Sequence, residues 1–422
     1  MTRDDMLDWT GEELQRMDTD TSADEIEIKR DPITQFIARK RRYGKQEIYV
    51  SSLESILREY EAFLYNEFQE HICNIDDSFI IEFNEHLKSN GKYYVIKENA
   101  PQSDGSNKPK KIEISDRTRH DYLRKVGSLY NWLVDVEKIL SQNPVEKALE
   151  DLGADEFDLS PPGRPKIELH EMRDFLQWLP DPQARAITLF LLKTATRIGE
   201  AMNVDLCCLN IEHPLYHSIL EQQEIEMESE VIGKPDTVYI MPGFTQGTKK
   251  RGEVRKWGNK RKRTGGSVIP LDRELKTSLL EYLLVRRQAR AHSSPGKPLF
   301  TKRSNSKGES DRMTKSSVDC LLTSHHDQSG YLEEYGWYEQ GAPTEENVTF
   351  HYFRHYFTHN HKHLRGVYDK YMPKGTRKYI RGDVPDTRDV EDDNYSHQDW
   401  DTWERFVKKP YLENVYQFDI YG

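Results

Sequence analysis

Four separated stretches of this chain carry residues that could do chemistry. The first is Thr194-Ala195-Thr196-Arg197-Ile198-Gly199-Glu200, which follows the apolar segment Ile187 to Leu192. Arg197 would emerge from the end of a buried segment, and Glu200, three residues on, shares its helical face and could orient it. An ordinary surface ion pair has the same spacing. The second stretch is TKKRGEVRKWGNKRKR, residues 248 to 263, in which nine of 16 residues are Lys or Arg (Lys249, Lys250, Arg251, Arg255, Lys256, Lys260, Arg261, Lys262, Arg263) against one acid, Glu253. Packed on a hairpin, such a run attracts phosphates by releasing their counterions. A solvated loop is the plainer alternative, and Trp257 within the run favours contact. The third is Phe350-His351-Tyr352-Phe353-Arg354-His355. His351 and Arg354 project from one helical face, and both can donate to a single phosphate. A metal site is the rival, since His351, His355 and His359 lie four apart with His361 and His363 beyond; no H-E-x-x-H pattern accompanies them. The fourth is Tyr379-Ile380-Arg381-Gly382-Asp383 followed by Asn394-Tyr395-Ser396-His397. The chain has 23 tyrosines, so Tyr395 by position alone reads as a packing residue.

These stretches must be positioned by something. A chain of 422 residues can hold two or three domains. Residues 1 to 30 are acidic and read as a mobile tail. From Ser51, with Glu54 at capping-box spacing, Leu53, Ile56, Leu57, Tyr60, Phe63 and Leu64 follow a helical period. A second helix is expected from Asp77 and a third from Thr118, with Asn143-Pro144 closing the block. Residues 98 to 111 read as a polar loop. Residues 31 to 150 are therefore expected to form an all-helical domain, and the Pro- and Gly-containing stretch 151 to 166 a linker. The second domain, 167 to 422, is expected to hold helices around Met172 to Leu179, Ala184 to Thr194, Glu274 to Arg287 and Phe350 to Leu364. Short strands at Val238 to Ile240 and Ser267 to Leu271 flank the basic run, and Asp311 to Asn347 reads as a long loop. The fold class is thus mainly α with a small β-sheet.

Composition bounds the rest. The net charge is −11, but acids gather at the two ends and bases in the middle, so local fields matter more than the sum. No apolar run reaches the ~20 residues that span a bilayer. The start lacks a signal-peptide core. Cys73, Cys207, Cys208 and Cys320 show neither disulfide-framework nor zinc spacing. The expectation is an intracellular, cytoplasmic protein with no metal and no cofactor.

The order of the stretches carries more than any one of them. Arginine, then lysine in a basic hairpin, then His-x-x-Arg, then a C-terminal tyrosine resembles the tyrosine recombinase (phage integrase) family. Residues 194 to 200 resemble its T-G-x-R-x-x-E box, with Ala195 in place of the usual Gly. Lys262, eight residues before Pro270, resembles the hairpin lysine; His351 and Arg354 resemble the H-x-x-R box; Tyr395-Ser396-His397 resembles the Y-x-H nucleophile motif. The helical block is similar to the family's SAM-like core-binding domain, and 167 to 422 to its α+β catalytic domain. Arg381-Gly382-Asp383 departs from the usual L-G-H: Asp383 supplies no imidazole, though it could accept a hydrogen bond. R-G-D at this place resembles integrases of archaeal viruses and plasmids.

The resemblance implies a site-specific integrase that cuts and rejoins double-stranded DNA through a 3′-phosphotyrosyl intermediate. Arg197, Lys262, His351, Arg354 and Tyr395 would be catalytic, with Glu200 and Asp383 behind them. Lys249, Lys250, Arg251, Arg255, Lys256, Lys260, Arg261 and Arg263 would grip DNA. It implies a homo-tetramer on paired sites, a clamp around the duplex, and no small-molecule or membrane partner. A type IB topoisomerase and a catalytically dead DNA-binding protein remain alternatives, and Tyr411 and Tyr416 remain rival nucleophiles. The apolar spacing of Tyr411 to Phe418 suits docking either on a neighbouring subunit or on its own domain.

Overall fold

The computed structural model describes residues 31–45, 47–91, 114–160, 163–284, 295–302, 311–325, 328–340, 342, 345–362, 371–384 and 400–421. The expected tail (1 to 30) and polar loop (98 to 111) lie outside these residues. The chain divides into two compact units, Met1–Pro161 and Pro162–Gly422.

The described part of the first unit is helical. Helix α1 (Pro32–Arg42) was not foreseen; Asp31 caps it through Ile33 N, Pro32 sits in its first turn, and Ile33, Phe36 and Ile37 are its buried face. Helix α2 (Glu47–Phe68) starts a turn before Ser51, so Ser51 is an interior residue whose Oγ meets Glu47 Oε1 at 3.4 Å instead of a cap. Helices α3 (Asp77–Asn90) and α4 (Asp116–Asp135) follow, capped by Asp76 and Ser115. Asn143-Pro144 does not close the block: Asn143 caps α5 (Pro144–Leu152), and Pro144 takes the first-turn position where its missing N–H costs nothing.

The core joins Phe36, Leu57, Tyr60, Phe83, Val126, Tyr130 and Trp132. One buried cation crosses it. Arg119 donates to Asn84 Oδ1 (2.7 Å), Asp116 Oδ1 (2.9 Å) and Glu156 Oε1 (2.9 Å). Arg119, helped by Lys88 and Asn84, holds the Glu156 carboxyl down to about 2. Phe157 is buried in the same core. The first part of the expected linker therefore belongs to this unit.

In the second unit, helix α6 (Leu169–Trp178) precedes α7 (Pro182–Thr194), which is buried from Ala184 to Thr194 apart from Arg185. A helix apolar on nearly every side must be surrounded, and α10 (Arg273–Tyr282) and α13 (Phe350–Lys362) flank it. Between them in sequence come α8 (Ile198–Met202), β1 (Leu209–Asn210), α9 (Pro214–Gln222), β2 (Thr237–Ile240), a small hairpin β3 (Lys249–Lys250) and β4 (Glu253–Val254), and β5 (Ser267–Pro270). Strands β1, β2 and β5 form an antiparallel sheet in that order, with Leu209 opposite Val238 and Tyr239 opposite Val268.

The stretch from Asp311 to Asn347 is not a structureless loop. It holds α11 (Lys315–Leu322), a hairpin of β6 (Ser324–His325) and β7 (Gln328–Ser329), and α12 (Tyr331–Glu334). Its Val318, Leu322 and Leu332 join the core. The chain ends with α14 (Lys374–Arg381), α15 (Trp400–Trp403), a π-helical turn, Glu404–Lys408, and α16 (Lys409–Asn414).

The C-terminal segment docks on its own domain. Tyr411 and Tyr416 donate to Lys193 O (3.0 Å) and Leu192 O (2.6 Å) at the end of α7. The fully buried Lys193 ammonium returns a bond to Tyr416 O (2.6 Å) and pairs with Asp272 (2.5 Å) and Glu274 (2.7 Å). Deleting a buried cation strands its partner carboxylates, at about 3–5 kcal/mol. Lys193→Met should therefore lower unfolding stability by that amount. A urea melt with the wild-type midpoint would count against this account.

Candidate functional site

The end of α7 sets the site. Ala195 leaves the helix in the left-handed conformation (φ +50°), which costs a Cβ-bearing residue energy that glycine avoids. The turn exposes Ala195 O, which accepts from Arg354 Nη1 at 2.5 Å. Two residues on, Arg197 stands at the N-terminus of α8. Glu200 Oε1 accepts from its Nη1 (3.0 Å), and Glu200 Oε2 from its backbone N–H (3.2 Å). Arg197 is 29% exposed, whereas the Glu200 carboxylate is buried.

Helix α13 presents Arg354 from the other side. Its guanidinium is buried and makes, besides the bond to Ala195 O, two more: Nη1 to Arg381 O (3.0 Å) and Nη2 to Asp383 Oδ1 (3.0 Å). Burial, reinforced by repulsion from Arg197 and Arg381, pushes Arg354 down to about 9. His351, one turn before Arg354, is lowered by burial and by Arg164, Arg354, Arg197 and Arg381. His355 is pushed down to about 4 by burial, Arg164 and His351. Both imidazoles are therefore neutral near pH 7 and can accept a proton.

Asp383 takes the role of acceptor. Besides Arg354, its Oδ2 lies 3.1 Å from Arg381 Nε. Gly382 between them is left-handed (φ +70°), and a Cβ there would sit 2.4 Å from Arg261 Cγ. Gly382 O accepts from Lys262 N at 3.0 Å. Lys262 thus comes to the site through its backbone, with its side chain exposed. It does not lie on the β3–β4 hairpin but in the segment leading to β5.

The basic run is only partly a DNA-facing surface. Lys249, Lys250, Lys256 and Lys260 are exposed. Arg255 is instead fully buried, bonded to Asp205 (Nη2–Oδ2 2.5 Å), which Arg251 and Arg312 also engage at 2.5 Å. Arg261 is buried too, donating to Ser267 Oγ (2.6 Å) and Ile380 O (3.0 Å), with Glu200 at 3.8 Å. Arg251 also pairs with Glu228, and Arg263 lies over the Tyr379 ring. These four arginines hold the fold together, because each meets acceptors or a ring that only a folded chain supplies. Trp257 packs against the core.

Tyr395, with Ser396 and His397, lies outside the described residues. The rival nucleophiles do not suit: Tyr411 and Tyr416 are buried, their hydroxyls donate to main-chain carbonyls, and burial raises both well above a free phenol. The histidines of α13 do not converge for a metal. Among the described residues, the group of potential ligands drawn within 4.8 Å is Asp205, Cys207 and Cys208. The Asp205 carboxylate there is already taken by three arginines. Residues 164 and 381 went unassigned in the sequence: Arg164 lay in the expected linker, and Arg381 was read only as part of the Arg381-Gly382-Asp383 departure.

Two predictions follow from this geometry. Ala195→Gly should stabilise the fold, because the left-handed penalty it removes, about 1–2 kcal/mol, exceeds the unfolded-chain entropy that glycine adds, about 0.4–1 kcal/mol; a lower denaturation midpoint would refute it. His355 and His361, both pushed to about 4 chiefly by burial, stay neutral in the fold while an unfolded histidine protonates near ~6.5. The unfolded chain then binds more protons between these values, so stability should fall as pH drops from ~6.5 towards about 4. His361→Gln should flatten that decline in pH-dependent urea melts.

No helix among the described residues is long and apolar enough to cross a membrane. No family model matches the chain, and no curated protein matches it. Solved structures do. The integrase from mycobacterium phage Brujita is 12% identical over 92% of this chain and 93% of its own, with a TM-score of 0.31. XerA recombinase is 12% identical over 90% and 97%, also at 0.31. The Tn1549 transposon integrase, in complex with a circular intermediate DNA, is 16% identical over 89% of this chain and 99% of its own, with a TM-score of 0.51. The chain has the fold of that integrase, built of helices with small antiparallel sheets.

Proposed function

We propose that this protein is a site-specific DNA recombinase that breaks and rejoins a DNA strand through a covalent bond to Tyr395. The observation that carries the reading is the convergence of Arg197 and Arg354 on one surface, each braced by a buried acceptor. A phosphodiester resists attack because its oxygens carry charge, and two fixed guanidiniums neutralise the charge that builds on the non-bridging pair.

The reaction balances without an energy source. The Tyr395 oxygen forms a bond to phosphorus as the bond from phosphorus to the 5′ oxygen breaks. Neutral His351 accepts the phenolic proton, and Lys262 gives one to the departing 5′ oxygen. The product is a 3′-phosphotyrosyl linkage and a free 5′-hydroxyl. Attack by the 5′-hydroxyl of another strand reverses each transfer and joins the new pair. Glu200 and Asp383 hold the arginines. Double-stranded DNA is the substrate, the exposed Lys249, Lys250, Lys256 and Lys260 meet its backbone, and a homo-tetramer pairs two sites. The work is integration or excision of DNA.

The test is covalent capture. Wild-type protein incubated with a random-sequence library of nicked duplexes should yield a protein–DNA adduct stable to denaturant, with the nucleotide on Tyr395 by peptide mass spectrometry. Tyr395→Phe should retain DNA affinity and give no adduct, since only the hydroxyl is removed. Attachment at another tyrosine, or an adduct with the Phe variant, would sink the proposal.

A further inference from the structure

The turn Arg381-Gly382-Asp383 touches several parts of the site. Arg381 O and Asp383 Oδ1 hold Arg354. Gly382 O holds Lys262 N. Ile380 O, just before, accepts from Arg261, whose other neighbour is Glu200. The Arg381 side chain springs from the middle of these contacts.

Arginines that only support this fold are buried with their terminal nitrogens on acceptors. Arg255, Arg261 and Arg312 are each buried among carboxylates or carbonyls. Arg381 differs. Its side chain is 30% exposed, like that of Arg197. Among the described residues its ion-pair partner is Asp383, which Arg354 already shares. The ordinary role of a cation in the last turn of a helix is to meet the free carbonyls there, but the Arg381 carbonyl is already bonded to Arg354.

Among the described residues the charges do not balance locally. Arg197, Arg354 and Arg381 face two carboxylates, Glu200 and Asp383, and Glu200 also neighbours Arg261. Arg381 lies near enough to Arg354 and His351 to disfavour positive charge on both. Such a surface is completed by an anion.

We propose that Arg381 is a third arginine on the reacting phosphate, a catalytic residue beside Arg197 and Arg354, with Asp383 clamping it to Arg354. The inference rests on the recombinase reading and adds a residue to it. Asp383 Oδ2 pairs with Arg381 as an ion 3.1 Å from Nε, without a hydrogen bond, and the terminal N–H groups would donate to a non-bridging oxygen. Arg354 and Arg381, sharing one carboxylate, would then act as a single two-pronged donor.

The experiment uses a duplex recovered by covalent capture, made in two forms: ordinary phosphate, and methylphosphonate at the cleaved position. The methyl group removes the charge that an arginine would neutralise. Removing one fixed donor to such charge costs on the order of 10²–10³-fold in rate. Arg381→Ala should therefore slow single-turnover cleavage of ordinary DNA by that factor and lose less than about tenfold on methylphosphonate DNA. Arg381→Lys, which keeps the charge, should fall between. Because the ratio is read on one preparation of each variant, partial misfolding cancels. Equal losses on the two substrates, or no loss on either, would overturn the role of Arg381 while the recombinase reading stands. If wild-type protein captures no DNA, both fall together.

Discussion

Positive charges packed together in a half-dry place repel, and they stay together only where the surrounding fold holds them. Arg354 embodies this constraint. Its guanidinium is almost wholly buried, loses hydration, and faces Arg197 and Arg381. Two main-chain carbonyls and one carboxylate compensate in part. On the proposed reading, an incoming phosphate fills the remaining deficit. An apo surface built this way is strained towards its ligand, which is the electrostatic preorganisation that makes a fixed donor more effective than water.

Everything nearby serves that arrangement. The buried helix α7 delivers Ala195 at its end, and the left-handed turn there aims a carbonyl at Arg354. Arg261 lies under the site, between the Glu200 that braces Arg197 and the α14 terminus that carries Arg381. Its loss would loosen two arginines at once, although it would never touch DNA. The C-terminal segment closes the other side of α7 through Lys193, Tyr411 and Tyr416. The same burial that fits those tyrosines for anchoring removes them as nucleophiles.

The sequence disclosed the parts that have a period or a box. Helices α6, α7 and α13 and strands β2 and β5 were legible because apolar spacing marks a buried face. The pairing of Arg197 with Glu200 was legible because residues three apart share a helical face. Partners across the fold were not legible. Arg255 and Arg261 look like DNA contacts in a basic run, and only the fold shows Asp205 and Glu200 waiting for them. Asn143-Pro144 looked like a stop because that dipeptide breaks one helix and starts another with equal ease. Helix α1 hid among charges, since its buried face is only Ile33, Phe36 and Ile37. Asp383 was readable as an acceptor, but its two arginines were not.

Net charge misleads here for a related reason. The chain carries 72 acidic and 61 basic residues, a balance that would ordinarily repel DNA. Many bases are consumed inside: Arg119, Lys193, Arg255, Arg261 and Arg312 are all buried and paired. They contribute nothing to a surface field, and neither do the acids they hold. On the proposed reading, what a phosphate meets is set by the cations left facing outward, Arg197 and Arg381 at the site and Lys249, Lys250, Lys256, Lys260 and Lys262 beside it. Affinity for a polyanion depends on how many of its phosphates are neutralised by cations within reach, since those contacts release counterions. Acids more than a Debye length away, about 8–10 Å at ordinary salt, are screened from that contest. An acidic protein can therefore present a basic working face, provided that its fold pairs the right arginines internally and leaves the others short of partners.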